Sequence, residues 1–345
     1  MPDTAPSDLA ANTDWFLNRI DAVEGCANFV RSNRERLAAT LFLDGRTAFA
    51  TGPTLDVELA ALDSLASAPA APARFIFHMS FCGSTQLSHL VGESGAGVVL
   101  KEPQALVDLA DWQRTLAERG IVDPRFSPAL RGSIALLSRG WPGSPPTVVK
   151  PSNWANTLIP LLDGAASRVV LVTIERRAFL RAVFRGGRDR LAFTARAASH
   201  FAAAVGQTVR LDQALASSDD PLDRMARLIL LAHDLQHRQF AQAASFPAVA
   251  RIDRNLIIDN PVAALDRACD ALGLSWSEEQ KDADEKISGR DAKNPGRSFI
   301  ARDSLPKMPV SKTIIADAST LRWHGRKKPC TSSVRSPTRR RLRRP

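Results

Sequence analysis

Small polar residues stand where an apolar run gives way to a helical pattern, in FIFHMSFCGSTQL over residues 75–87. A strand that becomes a helix here leaves backbone N–H groups unpaired at the helix N-terminus, where the peptide dipoles place partial positive charge. Gly83 permits close approach of an anion, and the hydroxyls of Ser84 and Thr85 can donate to phosphate or sulfate oxygens. The stretch therefore predicts an anion-binding loop. The alternative is that Ser84 or Thr85 simply caps the helix.

This loop differs from those of two familiar phosphate-binding classes. Compared with the G-x-x-x-x-G-K-[ST] loop, it has His78 at the first glycine and Ser84 in place of the lysine. That lysine reaches the terminal phosphates of a nucleotide, so its absence argues against an ATPase, a GTPase or an ordinary kinase. A cysteine phosphatase is disfavoured because the sixth residue after Cys82 is Ser88 and not arginine.

From residue 74 onward, short apolar runs alternate with helical patterns. The runs are FIFHM, GVVLK, TVVK, RVVLVTI and PAVARI. This alternation predicts an α/β fold in which helices cover both faces of a parallel sheet, with ligands bound at the carboxyl ends of the strands. An alanine-rich helical insertion over 191–245 is expected between the fourth and fifth strands.

A small N-terminal unit is predicted over 1–70. Its pattern indicates a helix at about 27–39, a hairpin in LFLDGRTAFA over 41–50 that turns at Asp44 and Gly45, and a helix in DVELAALDSLAS. The alanine- and proline-rich stretch SAPAAPA is read as a linker to the α/β domain of 74–310.

Basic residues are concentrated at the end of the chain. The formal net charge is +10, but nine of the basic residues and no acid lie within 326–345, so the rest of the chain is close to neutral. Residues 311–345 lack apolar periodicity, and we expect this tail to be disordered, although a reading-frame error in the gene would give a similar tail. Because the tail has no interleaved aromatic residues, we expect at most non-specific attraction to nucleic acid or acidic membranes.

No metal site is predicted. The four cysteines have no metal-binding spacing, and HDLQH (233–237) resembles the zinc-protease H-E-x-x-H pattern without a third ligand, so packing histidines are favoured. The N-terminus lacks the basic-then-apolar form of a signal peptide, and no run approaches the ~18 apolar residues of a membrane span. We therefore expect a cytoplasmic protein with no membrane span.

The loop resembles the phosphate-sulfate loop of sulfotransferases, [KR]-S-G-T-T-L-L after a strand. Residues Phe81 to Leu87 stand at the matching places, and VVLKEPQAL, TVVKPSNWAN and ARIDRNLIIDNPVAALDRACDALGLSWSEE follow in the family's order, so that the resemblance covers roughly 74–300. It implies a three-layer, P-loop-like α/β fold with a mainly parallel sheet. It also implies 3′-phosphoadenosine 5′-phosphosulfate as the donor of a sulfuryl group to a hydroxyl or amine acceptor, either a small molecule or a macromolecule.

The same resemblance implies roles for individual residues. Glu102, at the end of the second strand, would be the base that deprotonates the acceptor, and Lys150, at the end of the third, would stabilise charge on the transferring group. The donor's phosphosulfate would be held by Cys82, Gly83, Ser84, Thr85 and Gln86. The alternative is that Glu102 pairs with Lys101 or Arg114 on the surface and that Lys150 is a solvated strand end.

The chain departs from the family pattern at the donor site. Phe81 replaces the basic residue of the loop, and Ile174 and Ala182 replace the arginine and serine of the 3′-phosphate site. Because a guanidinium is a forked phosphate ligand, the predicted replacements are arginines that follow the fourth strand: Arg176, Arg177 and Arg181. Further candidates are Arg188, Arg190, Lys293, Gly296 and Arg297. A non-catalytic nucleotide or anion binder that has lost part of the donor site is the alternative function.

Overall fold

Ten strands occur in the described part of the chain. A computed structural model describes Leu9 and residues 12–65, 72–163, 167–246 and 248–276, with the backbone of 290–291 and 294–298. The strands are β1 (Trp15–Asp21), β2 (Cys26–Arg31), β3 (Thr54–Glu58), β4 (Ala73–His78), β5 (Val98–Lys101), β6 (Thr147–Lys150), β7 (Ser167–Thr173), β8 (Ala248–Asp253), β9 (Arg290–Asp291) and β10 (Asn294–Ser298).

Helices flank these strands. They are α1 (Arg34–Ala39), α2 (Ala61–Leu65), α3 (Ser84–Glu93), α4 (Gln104–Arg119), α5 (Phe126–Leu137), α6 (Arg176–Arg185), α7 (Gly187–Ala204), α8 (Thr208–Ala216), α9 (Pro221–Gln242), α10 (Arg254–Asp259) and α11 (Pro261–Leu272), with 3-10 helices at Asn153–Leu161 and Ala243–Ser245. Within these bounds no helix is long and apolar enough to cross a membrane.

A five-stranded parallel sheet lies at the centre, in the order β5-β6-β4-β7-β8. Its strands are nearly continuous apolar runs, such as Val169–Val172, because a parallel sheet between helices is buried on both faces. The five strands predicted from the sequence are confirmed, as is the α/β class. Helices α7, α8 and α9 confirm that the segment between β7 and β8 is helical.

The order of the sheet decides which strand ends meet. Strand β4 is central, with β6 on one side and β7 on the other, and β5 lies beyond β6. Because all five strands are parallel, their carboxyl ends share one edge of the sheet. The loop after β4 and the residues that follow β5, β6 and β7 therefore face the same side of the molecule.

The N-terminal part corrects three predictions. Of the described residues in the stretch DVELAALDSLAS, predicted as helix, 56–58 belong to strand β3, and only Ala61–Leu65 are helical. Residues 26–31, predicted as helix, form strand β2, which pairs antiparallel with β1 and β3; its burial alternates along Ala27–Phe29, a period of two, and only 34–39 is helical. Residues 41–50 form no strands, although Asp44 and Gly45 do lie in a turn, with Gly45 at φ 85°. Instead of pairing within a hairpin, the backbone of Leu43 hydrogen-bonds to Lys101 and Gln104, at and after the end of β5.

The N-terminal strands share a continuous hydrophobic core with the parallel sheet. The Leu43 N–H donates to the Lys101 carbonyl at 2.7 Å, and the Gln104 N–H donates to the Leu43 carbonyl at 3.0 Å. Arg19 forms two hydrogen bonds to Asp108 on α4, at 2.8 and 3.1 Å. These contacts bring the segment around Leu43 to the carboxyl end of β5, beside the predicted site. The linker stretch at 67–71 and the predicted tail over 311–345 lie outside the described residues.

Candidate active site

The loop after β4 presents a helix N-terminus that no side chain caps. Gly83 occupies the N-cap position of α3 with φ 86°, a left-handed conformation that favours glycine. Ser84 and Thr85 lie inside the first turn, so neither residue is the cap. The hydroxyl-cap alternative is therefore not what forms. The first N–H groups of α3 keep the positive end of the helix dipole available to an anion.

Cys82 is a buried thiol that remains protonated. Its side chain is close to the backbone N–H and the side chain of Ser84. Burial raises the pKa of the Cys82 thiol to about 11, in spite of the opposing influence of Ser84 and the Lys150 ammonium. Cys82 is thus a packing residue of the loop and not a nucleophile, since thiolate is the reactive form.

Gln86 is the loop residue with unused hydrogen-bonding capacity. It is 6% exposed, and both polar atoms of its amide are buried without a hydrogen-bond partner among the described residues. Leaving such an amide unpaired costs free energy, about 1–3 kcal/mol for each group. A ligand or water that reaches the first turn of α3 would recover part of that cost.

Two non-glycine residues of the described chain have positive φ, and both belong to the predicted site. They are Phe81 in the loop, at φ 63°, and Glu102 after β5, at φ 56°. For L-residues this conformation costs about 1–2 kcal/mol, and Glu102 also precedes Pro103, which restricts it further. Such strain persists only where the surrounding structure enforces it, and it concentrates at functional sites.

Glu102 and Lys150 form a buried ion pair at the carboxyl edge. Lys101 and Lys150 are register partners across β5 and β6, and the Glu102 N–H donates to the Lys150 carbonyl at 2.6 Å. This pairing brings the two side chains together: Lys150 Nζ donates to Glu102 Oε1 at 2.7 Å, with side-chain exposures of 1% and 15%. Lys150 is thus neither solvated nor a surface group, and Glu102 does not pair with Lys101 or Arg114.

The charge of the pair follows from its neighbours. Burial by itself raises the pKa of Glu102, but the Lys150 ammonium, supported by Arg46, outweighs it, and the net pKa is lowered. Glu102 is therefore an ionised carboxylate held by a cation. A carboxylate in this state is a weaker base than one without a neighbouring cation.

His78 connects the ends of β4 and β6. Its Nδ1 lies 2.9 Å from the Met79 carbonyl oxygen and its Nε2 lies 3.0 Å from the Pro151 carbonyl oxygen. Burial, followed by the Lys150 ammonium, lowers the pKa of His78 to about 3. The neutral imidazole has one N–H, so it donates to one of the two carbonyls. His78 positions the strand ends and is not an acid or base near neutral pH.

Arg46 and Phe42 reach the pair from the N-terminal part of the chain. An Arg46 guanidinium nitrogen lies 3.6 Å from Glu102 Oε2, and the Arg46 guanidinium lies 4.2 Å from the centre of the Phe42 ring. Asp44 holds the same guanidinium at 2.5 Å. Sequence reasoning missed both residues because it treated the N-terminal part as a separate unit. The D-G-R turn gave no sign of a contact some sixty residues away.

Arg190 lies beside the loop position that lacks a basic residue. Its guanidinium sits 4.6 Å from the centre of the Phe81 ring and also donates to the Ala182 carbonyl at 2.9 Å. The structure thus places a cation from α7 next to Phe81. Arg190 was one of several candidates from the sequence, and its guanidinium contacts Phe81 of the loop.

The predicted arginines after β7 are separated from the pair. Arg177 and Arg181 are exposed on α6, one turn apart and away from the buried Phe179 and Val183, and among the described residues no contact joins them to the loop after β4. Arg176 lies 3.6 Å from Asp234 on α9.

The N-terminus of α6 is closed by the protein itself. Both oxygens of Glu175 accept hydrogen bonds from the helix, from the Arg177 N–H at 2.9 Å and the Ala178 N–H at 2.8 Å. These bonds lower the pKa of Glu175. Ile174, at the family's arginine position, is buried, and its carbonyl oxygen lies 3.0 Å from His233 Nε2. An anion at this helix start would have to displace a carboxylate.

The HDLQH motif serves packing. His233 is buried, and its ring centre lies 4.6 Å from that of His237. No group of three or more potential metal ligands occurs among the residues that the structure describes. Of the later phosphate-site candidates, Gly296 and Arg297 fall in strand β10, of which only the backbone is described, and Lys293 lies outside the described residues.

A scan of protein-family models and a search of curated proteins both find no match for this chain.

The arrangement at this edge has the parts that group transfer requires. An uncapped helix start attracts an anion, a buried ammonium is placed between strand ends, and a carboxylate lies within hydrogen-bond distance of that ammonium. Lys150 is close enough to influence both Cys82 in the loop and His78. The predicted residues Glu102, Lys150 and the loop therefore converge, whereas Arg177 and Arg181 do not join them.

Proposed function

We propose that the protein transfers a sulfuryl group from 3′-phosphoadenosine 5′-phosphosulfate to a hydroxyl or amine acceptor. The observation that carries the proposal is the Glu102–Lys150 pair, at 2.7 Å, on neighbouring strand ends beside an uncapped helix start. The resemblance of the loop and of the three later stretches to sulfotransferases supplies the choice of a sulfuryl donor.

The residues present suit the phosphosulfate end of such a donor. Gly83, Ser84 and Thr85 would offer N–H and hydroxyl donors, and the unpaired amide of Gln86 would add another. Arg190 would supply the positive charge that Phe81 does not. The donor contributes an activated sulfuryl group with a good leaving group.

The pair would act by exchange of partners. In the resting protein Lys150 holds Glu102 as an unreactive carboxylate. When an anion enters beside the loop, the Lys150 ammonium would interact with the anion as well as with Glu102. Its weaker interaction with Glu102 would make the carboxylate more basic, so that Glu102 could accept the proton of the acceptor. Most of the rate enhancement in this kind of transfer comes from positioning and electrostatic stabilisation.

The test is donor turnover by the full-length protein. Release of adenosine 3′,5′-bisphosphate from the donor is measured with a panel of phenols, sugars and amines, for the unmodified protein and for Glu102→Gln. Removal of a general base is expected to lower turnover about 10²–10⁴-fold. Turnover by Glu102→Gln at the unmodified rate would remove Glu102 from the mechanism.

A second candidate, a non-catalytic anion binder, is favoured by one observation. Lys150 and Glu102 satisfy each other, and Lys150 is 1% exposed, so the pair is also a stable structural unit. This candidate predicts binding of the bisphosphate without donor turnover for any acceptor class. The same assay, combined with a binding measurement, separates the two functions.

A further inference from the structure

A pocket of about 390 Å³ lies among the helices between β7 and β8, and neither Glu102 nor Lys150 lines it. It is formed where the start of α6 meets α8 and α9. Its charged lining consists of Arg176 from α6, Arg210 from α8, and Arg227 and Asp234 from α9. The volume falls within the range of small-molecule sites.

The charges that line this pocket are incompletely paired. Arg227 Nε donates to Asp223 at 2.8 Å, one turn earlier on α9, so this arginine is neutralised. Arg176 and Arg210 share the single carboxylate of Asp234, with N–O distances of 3.6 and 3.8 Å. Both distances exceed the range of a hydrogen bond. Two guanidinium groups therefore face one carboxylate at longer range, and one positive charge is left over.

Arg210 also has an unused donor. Its Nη1 is buried and has no hydrogen-bond partner in the described part of the chain. Because Nη1 has almost no accessible surface, an oxyanion in the pocket would meet the other guanidinium nitrogens of Arg210, whose side chain is 32% exposed. Because a guanidinium presents a fork of N–H groups, it matches the paired oxygens of a carboxylate, sulfate or phosphate.

Apolar side chains line the pocket among the charged ones. Leu230 and Leu231 lie on the same face of α9 as Arg227 and Asp234, and Ala214 of α8 lies one turn from Arg210. Charged and aliphatic groups in one lining suit a ligand that has a charged end and an apolar body. A bare inorganic ion would leave the aliphatic side chains without a contact.

We propose that this pocket binds a small organic anion, in which a carboxylate, sulfate or phosphate ester contacts Arg176 and Arg210 and an apolar body packs on Leu230 and Leu231. The site is separate from the proposed sulfuryl transfer, since neither the loop after β4 nor the Glu102–Lys150 pair lines it. In this proposal Arg176 serves the pocket and not the donor's 3′-phosphate.

The test is calorimetric titration of the full-length protein with sodium hexanoate, neutral hexanamide and adenosine 3′,5′-bisphosphate. Hexanoate is expected to bind at millimolar concentration, and hexanamide is not. Arg210→Gln should weaken hexanoate binding about 10-fold, as expected for loss of a charge-assisted contact. Asp234→Asn should strengthen it, because the competing carboxylate is gone. Arg238→Gln, an exposed arginine on the same helix outside the pocket, is the matched control.

Each outcome decides the proposal. Absence of hexanoate binding, or equal binding by Arg210→Gln and Arg238→Gln, would overturn it. Binding of the bisphosphate but not of hexanoate, with the bisphosphate affinity lowered by Arg210→Gln, would also overturn it, because the pocket would then belong to the nucleotide donor. Hexanoate binding that depends on Arg210 would support the pocket even if donor turnover were never observed. Thermal unfolding of each variant establishes that it is folded.

Discussion

Two helices begin at the same edge of the sheet, and they differ in whether a side chain caps the N–H groups of the first turn. Helix α3, after β4, starts at Gly83 without a side-chain cap, beside a buried ion pair and two residues with strained backbone. Helix α6, after β7, starts at Glu175, whose carboxylate occupies its N–H groups, and its arginine contacts are long and exposed. An incoming anion meets a free helix start at the first place and a competing carboxylate at the second.

This contrast indicates which charged groups are available for chemistry. At the β4 end there are a buried ion pair, two residues with strained backbone and the unpaired amide of Gln86. Such costly features are retained mainly at functional sites. At the β7 end, the Glu175 carboxylate already accepts hydrogen bonds from the first N–H groups of α6. The anion of the proposed donor is therefore expected at the loop after β4, and Arg176 of α6 is assigned by our proposal to the pocket between α6, α8 and α9.

The largest expected effect comes from breaking the buried pair. Lys150→Ala leaves the Glu102 carboxylate buried with only the exposed Arg46 guanidinium nearby, at 3.6 Å, which should lower the free energy of unfolding by about 3–5 kcal/mol. Urea denaturation measures the loss. The double variant Lys150→Met with Glu102→Gln removes both charges and should regain most of it. Equal stability of Lys150→Ala and the unmodified protein would show that the pair is not buried as described.

Acid should destabilise the protein through its buried histidines. The pKa is lowered to about 3 for His78 and to about 4 for His200, both chiefly by burial, so the folded state keeps each ring neutral while the unfolded chain takes up protons near pH 6.5. Stability is therefore fully present above that pH and falls as the pH is lowered towards 4, by up to about 1.4 kcal/mol per pH unit for each group.

Urea midpoints at pH 7, 6 and 5 test this pH dependence, and His200→Gln should flatten it. His200 is a suitable choice because its Nε2 bonds to the Trp154 carbonyl and it lies outside the proposed site. A midpoint that does not change between pH 7 and 5 would contradict the assignment of neutral buried rings.

A smaller effect is expected from opening the second helix start. Glu175→Ala removes the cap of α6 and should lower the midpoint of thermal unfolding by a few degrees. It should also increase affinity for sulfate, because the freed N–H groups and helix dipole then favour an outside anion. Glu175→Asp, which keeps a carboxylate, is the control. Unchanged sulfate binding in Glu175→Ala would show that the Glu175 carboxylate does not control anion binding at the start of α6.

The smallest effect is expected from Arg46→Gln. Arg46 approaches Glu102 at 3.6 Å, but its side chain is 60% exposed, and exposed pairs contribute about 0–1 kcal/mol. Urea denaturation should therefore show a loss far below that of Lys150→Ala. A comparable loss would mean that Arg46, and not Lys150, is the main partner of Glu102.

Much of this fold could be predicted from local pattern, because each strand of a buried parallel sheet is a short apolar run. The runs FIFHM, GVVLK and TVVK coincide with strands β4, β5 and β6 for that reason, within one or two residues at each end. Strand β2 was predicted as helix because its apolar residues fit either period over a short window, and pairing with β1 and β3 decided the outcome.

The sequence indicated which residues belong to the candidate site, but not which of them contact one another. The loop and the charged strand ends stood out because small polar residues and Lys-Glu-Pro follow apolar runs. The order of the strands, which makes Glu102 and Lys150 neighbours, is a property of the whole sheet. The approach of Arg46 and Arg190 depends on segments far apart in sequence, and Glu175 gave a signal only as an ordinary helix cap.

We propose that the loop after β4 holds the donor nucleotide. Adenosine 3′,5′-bisphosphate should then bind the full-length protein tightly and saturably in titration calorimetry, in competition with sulfate. Absence of any binding at millimolar bisphosphate, with the protein shown to be folded, would rule this out.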